Sequence, residues 1–231
     1  MLKFLGIGSC FNVEKGNTSA YYIDVERDTL FLIDCGESVF ERIVKSNILK
    51  DVSNVTVLIT HLHSDHVGSL ASLVFYCNIY LKIKPVIIYK DKEDIMISAL
   101  FSLGKDSQLY YIYTPREYNE LYPYYNIVPV KQKHDEIVDA YGYEFELAGN
   151  KIYYSGDTNT LKEEILLKFL QGKYDYFYQD TTIHVNEAHH NIGDLKDEIP
   201  AHMRDMVTCI HLDSDETIKL AKEAGFNVPN M

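Results

Sequence analysis

The sequence predicts a mixed α and β chain of one domain, residues 1–231, built as two sheets packed together with helices outside, a four-layer α+β sandwich. Three observations carry this. Strands come first, strands then alternate with helices, and a similar series follows in the second half. With 46% hydrophobic and 24% charged residues, the composition is that of an ordinary packed protein rather than a disordered one.

Taken in order, residues 2–7, 19–25 and 29–34 are β-rich, with "VERDT" as the turn between the last two, and predict an opening meander. "VTVLIT" (55–60) is a continuous apolar run of buried-strand type, and the apolar spacing from Val67 to Tyr80 predicts a helix. "PVIIY" (85–89) is a strand, and "DKEDIMISALFSLG" (91–104) reads as a helix with an acidic first turn and Gly104 as its stop. Strands follow in "YNIVPVKQKH" and "YGYEFELAGNKIYYSGDT", with Gly149-Asn150 as a hairpin turn. Helix "TLKEEILLKFL", strand "YDYFYQD", a helix after His190, strand "MVTCIHL" and helix "DETIKLAKEAG" complete the chain.

Twenty-two Lys and Arg stand against 34 Asp and Glu, a formal charge of −12, so the broad basic footprint of a nucleic-acid binder is missing. Any anionic substrate needs a local positive source. The apolar runs fall far short of the ~20 residues of a membrane span. The start "MLKFLGIGSC" is too short and too interrupted by Gly6 and Gly8 for a signal peptide, and reads as a first strand. Cys10, Cys35, Cys77 and Cys209 form no C-x-x-C pair, which suits a reducing cytoplasm. The expectation is a cytoplasmic protein without a membrane partner.

"HLHSDH" (61–66) places three of nine histidines and an aspartate in six residues at the end of a strand. In an extended segment His61 and His63 point to one side, so they can share a metal. Asp65 keeps the same parity, while His66 is free to turn toward a neighbouring ion once the chain bends into the helix. Imidazole suits zinc, iron, cobalt or nickel, and an added carboxylate permits a second ion. A surface cluster at a polar turn is the bland alternative, and the spacing argues against it.

This motif resembles the signature of the metallo-β-lactamase superfamily, an αβ/βα sandwich with a metal centre at its sheet ends. The resemblance runs from about residue 2 to 212. It implies that Asp34 in "FLIDCGES" supports the loop, and that His134, Asp157 and His211 complete the ligands. One metal is then held by His61, His63 and His134, the other by Asp65, His66 and His211, with Asp157 bridging. Zinc is the first expectation for both divalent ions, with manganese or iron as alternatives. A water shared by two such ions is a nucleophile near neutral pH, and Asp65 belongs to this catalytic centre as well.

The opening "GIGSCFNVEKGNTSAYYI" is similar to the ribonuclease Z-like phosphodiesterase branch, which implies a further histidine that protonates the leaving group. His189 or His190 in "EAHHNIGDL" stands where that acid is expected. Only 23 residues separate His134 from Asp157, which leaves no room for the branch's transfer-RNA-gripping arm. The expected substrate is therefore a small phosphodiester, such as a nucleotide, with long nucleic acid left open. A carbonyl hydrolase (thioesterase, lactonase or β-lactamase-like) is the alternative enzyme, and a metal-binding protein without turnover the alternative class. The tyrosine-rich "SQLYYIYTPREYNELYPYY" is read as a pocket cover or a homodimer face, and Cys209 as a buried small side chain.

Overall fold

The computed structural model describes residues 1–90 and 93–230. Among them, strands form two sheets. The first has the order β1 (Lys3–Gly6), β2 (Ser19–Asp24), β3 (Thr29–Ile33), β4 (Asn54–Ile59), β5 (Val86–Tyr89) and β6 (Tyr111–Tyr113). The second has the order β11 (Val207–Ile210), β10 (Tyr176–Asp180), β9 (Asn150–Tyr154), β8 (Tyr141–Leu147) and β7 (Val128–Lys131). Each sheet is antiparallel where hairpins connect its strands, β1 to β3 and β7 to β9, and parallel beyond. Parallel neighbours require crossovers, and these run through helices.

Side-chain alternation explains the layering. In β3, Phe31 and Ile33 face the core between the sheets while Leu30 and Leu32 face outward; in β9, Ile152 and Tyr154 face inward and Tyr153 outward. On the outer face of the first sheet lie α1 (Val39–Ser46), α3 (Leu70–Tyr76) and α4 (Glu93–Ser102), through Ile43, Leu73 and Met96 among others. The second sheet is covered by α6 (Glu163–Leu170), α7 (Ile192–Glu198) and α8 (Asp215–Glu223), through Phe169, Leu195 and Ala221. Burying a side chain such as Leu or Phe contributes roughly 1.5–3 kcal/mol. The chain thus forms the expected four-layer αβ/βα sandwich.

Several elements differ from the sequence expectation. The helix expected from Val67 to Tyr80 begins earlier, as α2 (Ser64–Val67), breaks at Gly68-Ser69, resumes as α3 and ends in a π turn over Cys77–Leu81. The first two residues of the helix expected at 91–104 lie outside the described residues. Helix α1 was not anticipated, although Val39, Phe40, Ile43 and Val44 recur at helical spacing and Val39 and Ile43 form its buried face. The tyrosine-rich segment lines no part of the cleft that contains the His and Asp cluster: it supplies β6 and α5 (Pro115–Leu121), and Tyr118 and Tyr125 are buried between the sheets. Thr114 and Glu117 form a capping box that starts α5, with Pro115 in its first turn. No helix among the described residues is long and apolar enough to cross a membrane.

Candidate metal centre

The residues that gather at one edge of the sandwich all follow strand ends. His61 comes two residues after β4, His134 after β7, Asp157 after β9 and His211 immediately after β11, while Asp180 is the last residue of β10. Parallel strands present their carboxyl ends together, which is where open α/β sheets bind ligands. The two sheets are stitched near this edge by Tyr141 N donating to Thr60 O (3.1 Å) and by the Tyr143 hydroxyl donating to Ile59 O (2.8 Å).

Two adjacent donor groups result. His61, His63 and His134 converge, with Nε2 of His61 and of His134 3.1 and 3.2 Å from His63 Nδ1. Asp65, His66, Asp157 and His211 form the second group, all buried, with Asp65 Oδ2 3.2 Å from His211 Nε2 and 3.4 Å from His66 Nε2. Asp157 Oδ2 lies between them, at 3.8 Å from His61 Nε2, 3.7 Å from His134 Nε2, 3.3 Å from His66 Nε2 and 3.4 Å from His211 Nε2. Gly156 makes this placement feasible: its φ of +59° favours glycine, and a Cβ there would stand 2.6 Å from Tyr141 O.

Three of the imidazoles have a further group behind the ring. Asp34, held at φ +60°, accepts from Thr60 N and the Thr60 hydroxyl (both 2.8 Å) and from His66 Nδ1 (2.9 Å). His134 Nδ1 donates to Ala188 O (2.9 Å), and Asp180 Oδ1 stands 3.6 Å from His211 Nδ1. His211 itself has φ +57°, an unfavourable conformation for a non-glycine that costs on the order of 1–3 kcal/mol. Such outer partners fix which ring nitrogen faces a metal. The donor set fits a divalent ion on a structural observation: His66 Nε2 is fully buried and has no hydrogen-bond partner. A ligand atom that has given up water without gaining a partner calls for a cation.

Charge in the cluster is divided. Burial opposes charging His66, yet Asp157 and Asp34 raise its pKa well above the ordinary imidazole value; His211, also buried, is pushed up to about 10 by Asp157, Asp180 and Asp65. His61 is held well below its usual value by burial and by its neighbour His66. Burial resists ionisation of Asp157, but His211 and His66 hold it well below the usual carboxylate range.

The two candidates for a proton donor separate. His189 lines the cleft over the cluster, with Nδ1 2.8 Å from Asp180 Oδ2, and Asp180 raises its pKa against the effect of burial. His190 turns the other way, into the protein, with Nε2 3.3 Å from Glu198 Oε2 of α7; it corrects the expectation that either could face the cleft. Adjacent residues diverge because the loop that carries them is closed at its neck, where Thr182 N donates to His190 O and Ile192 N to Thr182 O. Sequence reasoning missed Asp180, which joins His189 to His211; its position at the end of an apolar strand was the available signal. Cys209 is buried in the outer core of the second sheet, as expected.

Fold and donor set together define a metal-dependent hydrolase of the metallo-β-lactamase fold, in its ribonuclease Z-like phosphodiesterase branch. Within that class the particular family is known: the model described as "Anti-Pycsar protein Apyc1" matches residues 1–227, and the chain belongs to this family. It is 26% identical over 238 residues to the Anti-Pycsar protein Apyc1 of Bacillus phage BSP38, covering 91% of this chain and 88% of that protein. Over 94 residues it is 29% identical to ribonuclease Z of Crocosphaera subtropica, covering 40% of this chain and 30% of that enzyme. The crystal structure of a diphosphatase from the PhnP family shares the fold with a TM-score of 0.72, at 15% identity, over 99% of this chain and 94% of that one.

Proposed function

We propose that residues 1–231 act as one domain that hydrolyses a small phosphodiester, such as a nucleotide, at two zinc ions. His61, His63 and His134 would hold the first, Asp65, His66 and His211 the second, and Asp157 would serve both. The central observation is that one oxygen of Asp157 is within 3.3–3.8 Å of four imidazoles drawn from both groups. When bound, the ions supply positive charge for phosphoryl oxygens and lower the pKa of water. Nitrogen donors with two carboxylates suit zinc.

The chain's own residues do the rest. Asp65, with both imidazole neighbours on one oxygen, keeps an acceptor at the floor of the cleft for orienting an attacking water. His189 protonates the leaving oxygen: Asp180 on its Nδ1 favours the charged ring and fixes its orientation. The cleft of about 520 Å³ has the size of a small-molecule site. The test is turnover of bis-p-nitrophenyl phosphate, a thioester and a lactone, with metal content measured in parallel. Phosphodiester turnover supports the reading; carbonyl hydrolysis alone overturns it.

Two further results are expected. Asp34→Asn should weaken metal at the Asp65, His66 and His211 group by about 10–100-fold, because His66 Nδ1 loses its carboxylate acceptor. Chelator competition measures this, and unchanged affinity would refute the role of Asp34. Metal binding should also release protons and strengthen as pH rises. His66 and His211 have raised values in the metal-free fold, so a metal must displace their protons. By the same sign, those protons stabilise the metal-free fold below the ordinary imidazole value, and that contribution is lost as pH climbs toward about 10 for His211. Calorimetry at pH 7 in buffers of different ionisation enthalpy reads the release; a buffer-independent heat contradicts it.

A further inference from the structure

One histidine in the cleft has no part in the two donor groups or in the proton transfer proposed for His189. His184 stands at the mouth, its side chain 70% exposed, with Nε2 3.1 Å from Asp213 Oδ2. Asp213 is itself fixed: the Thr182 hydroxyl donates to Oδ2 at 2.9 Å, and the Thr217 hydroxyl of α8 donates to Oδ1. The backbone of His184 is tied to the same threonine, its N–H donating to Thr182 Oγ1 at 3.1 Å. An exposed imidazole gains little stability from one surface contact. Three elements nevertheless converge to hold this one over the cleft: the 182–191 loop, the residue that follows Leu212, and the first turns of α8.

The rest of the lining narrows what the ring can do. Among the described residues that line the cleft there is no lysine or arginine. A substrate phosphate therefore has only the metals and His189 for its charge, and the parts of the substrate beyond the phosphate meet neutral or acidic groups. With Nε2 turned to the Asp213 carboxylate, Nδ1 is the ring nitrogen left to a substrate, and an imidazole nitrogen can pair with a hydroxyl or an N–H.

We infer that His184, held by Asp213, is a specificity-determining residue that pairs with a hydroxyl or N–H on the non-leaving alcohol of the phosphodiester. This rests on the phosphodiesterase reading above. It means that the cleft selects a hydroxylated moiety, such as a nucleoside, over an apolar ester of the same phosphate, and that it does so through binding.

Two esters with the same leaving group test this: thymidine 5′-(p-nitrophenyl phosphate), which carries hydroxyl and N–H donors, and bis-p-nitrophenyl phosphate, which carries none. In zinc-loaded His184→Ala, KM for the thymidine ester should rise about tenfold with kcat kept, the loss of one hydrogen bond of ~1.4 kcal/mol. KM for bis-p-nitrophenyl phosphate, metal content and melting temperature should stay as in the parent protein. His184→Gln, which retains an acceptor, should recover part of the binding. An equal rise for both esters, or no rise for either, overturns the inference while leaving the phosphodiesterase reading intact. Turnover of neither ester by the parent protein overturns that reading, and the inference with it.

Discussion

Asp157→Ala is expected to strip metal from both donor groups and to lower kcat/KM for a phosphodiester by at least about 10³-fold, since the ions supply several kcal/mol of transition-state stabilisation. The reason is its central position. Asp157 Oδ2 faces four imidazoles across the two groups, whereas removal of His63 would disturb only the first. Without the bridging carboxylate, two divalent charges would face each other with Asp65 as the one carboxylate left within the two donor groups. Repulsion would then expel at least one ion. The metal-free protein also changes, because His66 and His211 lose the carboxylate that most favours their protons. Two measurements decide the matter: metal content by mass spectrometry after gel filtration, and turnover of bis-p-nitrophenyl phosphate. A variant that keeps two metals per chain and activity within tenfold of the parent would sink the bridging assignment. Near-ultraviolet circular dichroism separates loss of metal from loss of fold.

His189→Ala should lower kcat by about 10²–10⁴-fold on a substrate with a poor leaving group, the range of a positioned general acid. Metal content should remain, because the two donor groups are complete without this ring. The leaving group distinguishes the mechanism. A ribose alkoxide needs a proton as it departs, while p-nitrophenolate leaves readily without one. The loss should therefore be much smaller on bis-p-nitrophenyl phosphate than on a nucleotide diester. Equal losses on both would show that His189 positions the substrate or the metals instead. Asp180→Asn should act in the same direction by removing the charge that favours protonated His189, but it also touches His211 and is the less clean variant.

Local spacing made half of the centre legible. "HLHSDH" lies on one loop after one strand, so the period of two predicts that His61 and His63 act together, and their nitrogens do lie 3.1 Å apart. Long-range pairing hid the rest. Asp180 looks like any aspartate at a strand end until the β10–β11 register sets it beside Ile210 and hence near His211. Nothing in "HHN" says which ring faces the cleft, because the loop neck at Thr182 and Asn191 decides it. The partnership of His184 with Asp213 bridges 29 residues and is equally silent in the sequence.

The fold divides in the same way. Strands such as "VTVLIT" declared themselves because a run buried on both faces must be apolar throughout. Strand β6 did not, since three residues at a sheet edge become a strand only by pairing with β5, and the tyrosines around it read as surface until Tyr118 and Tyr125 are seen between the sheets. By itself, the sequence determined the kind of chemistry: which residues could carry metal, and that the walls beyond them lack a broad positive surface. Tertiary structure alone decided that His189 and not His190 overlooks the donors, that Asp180 joins His189 to His211, and that His184 stands with Asp213 at the mouth. Ligand type is a property of single side chains and their near neighbours. A coordination sphere is a set of distances, and these follow from strand register and loop closure across the whole chain.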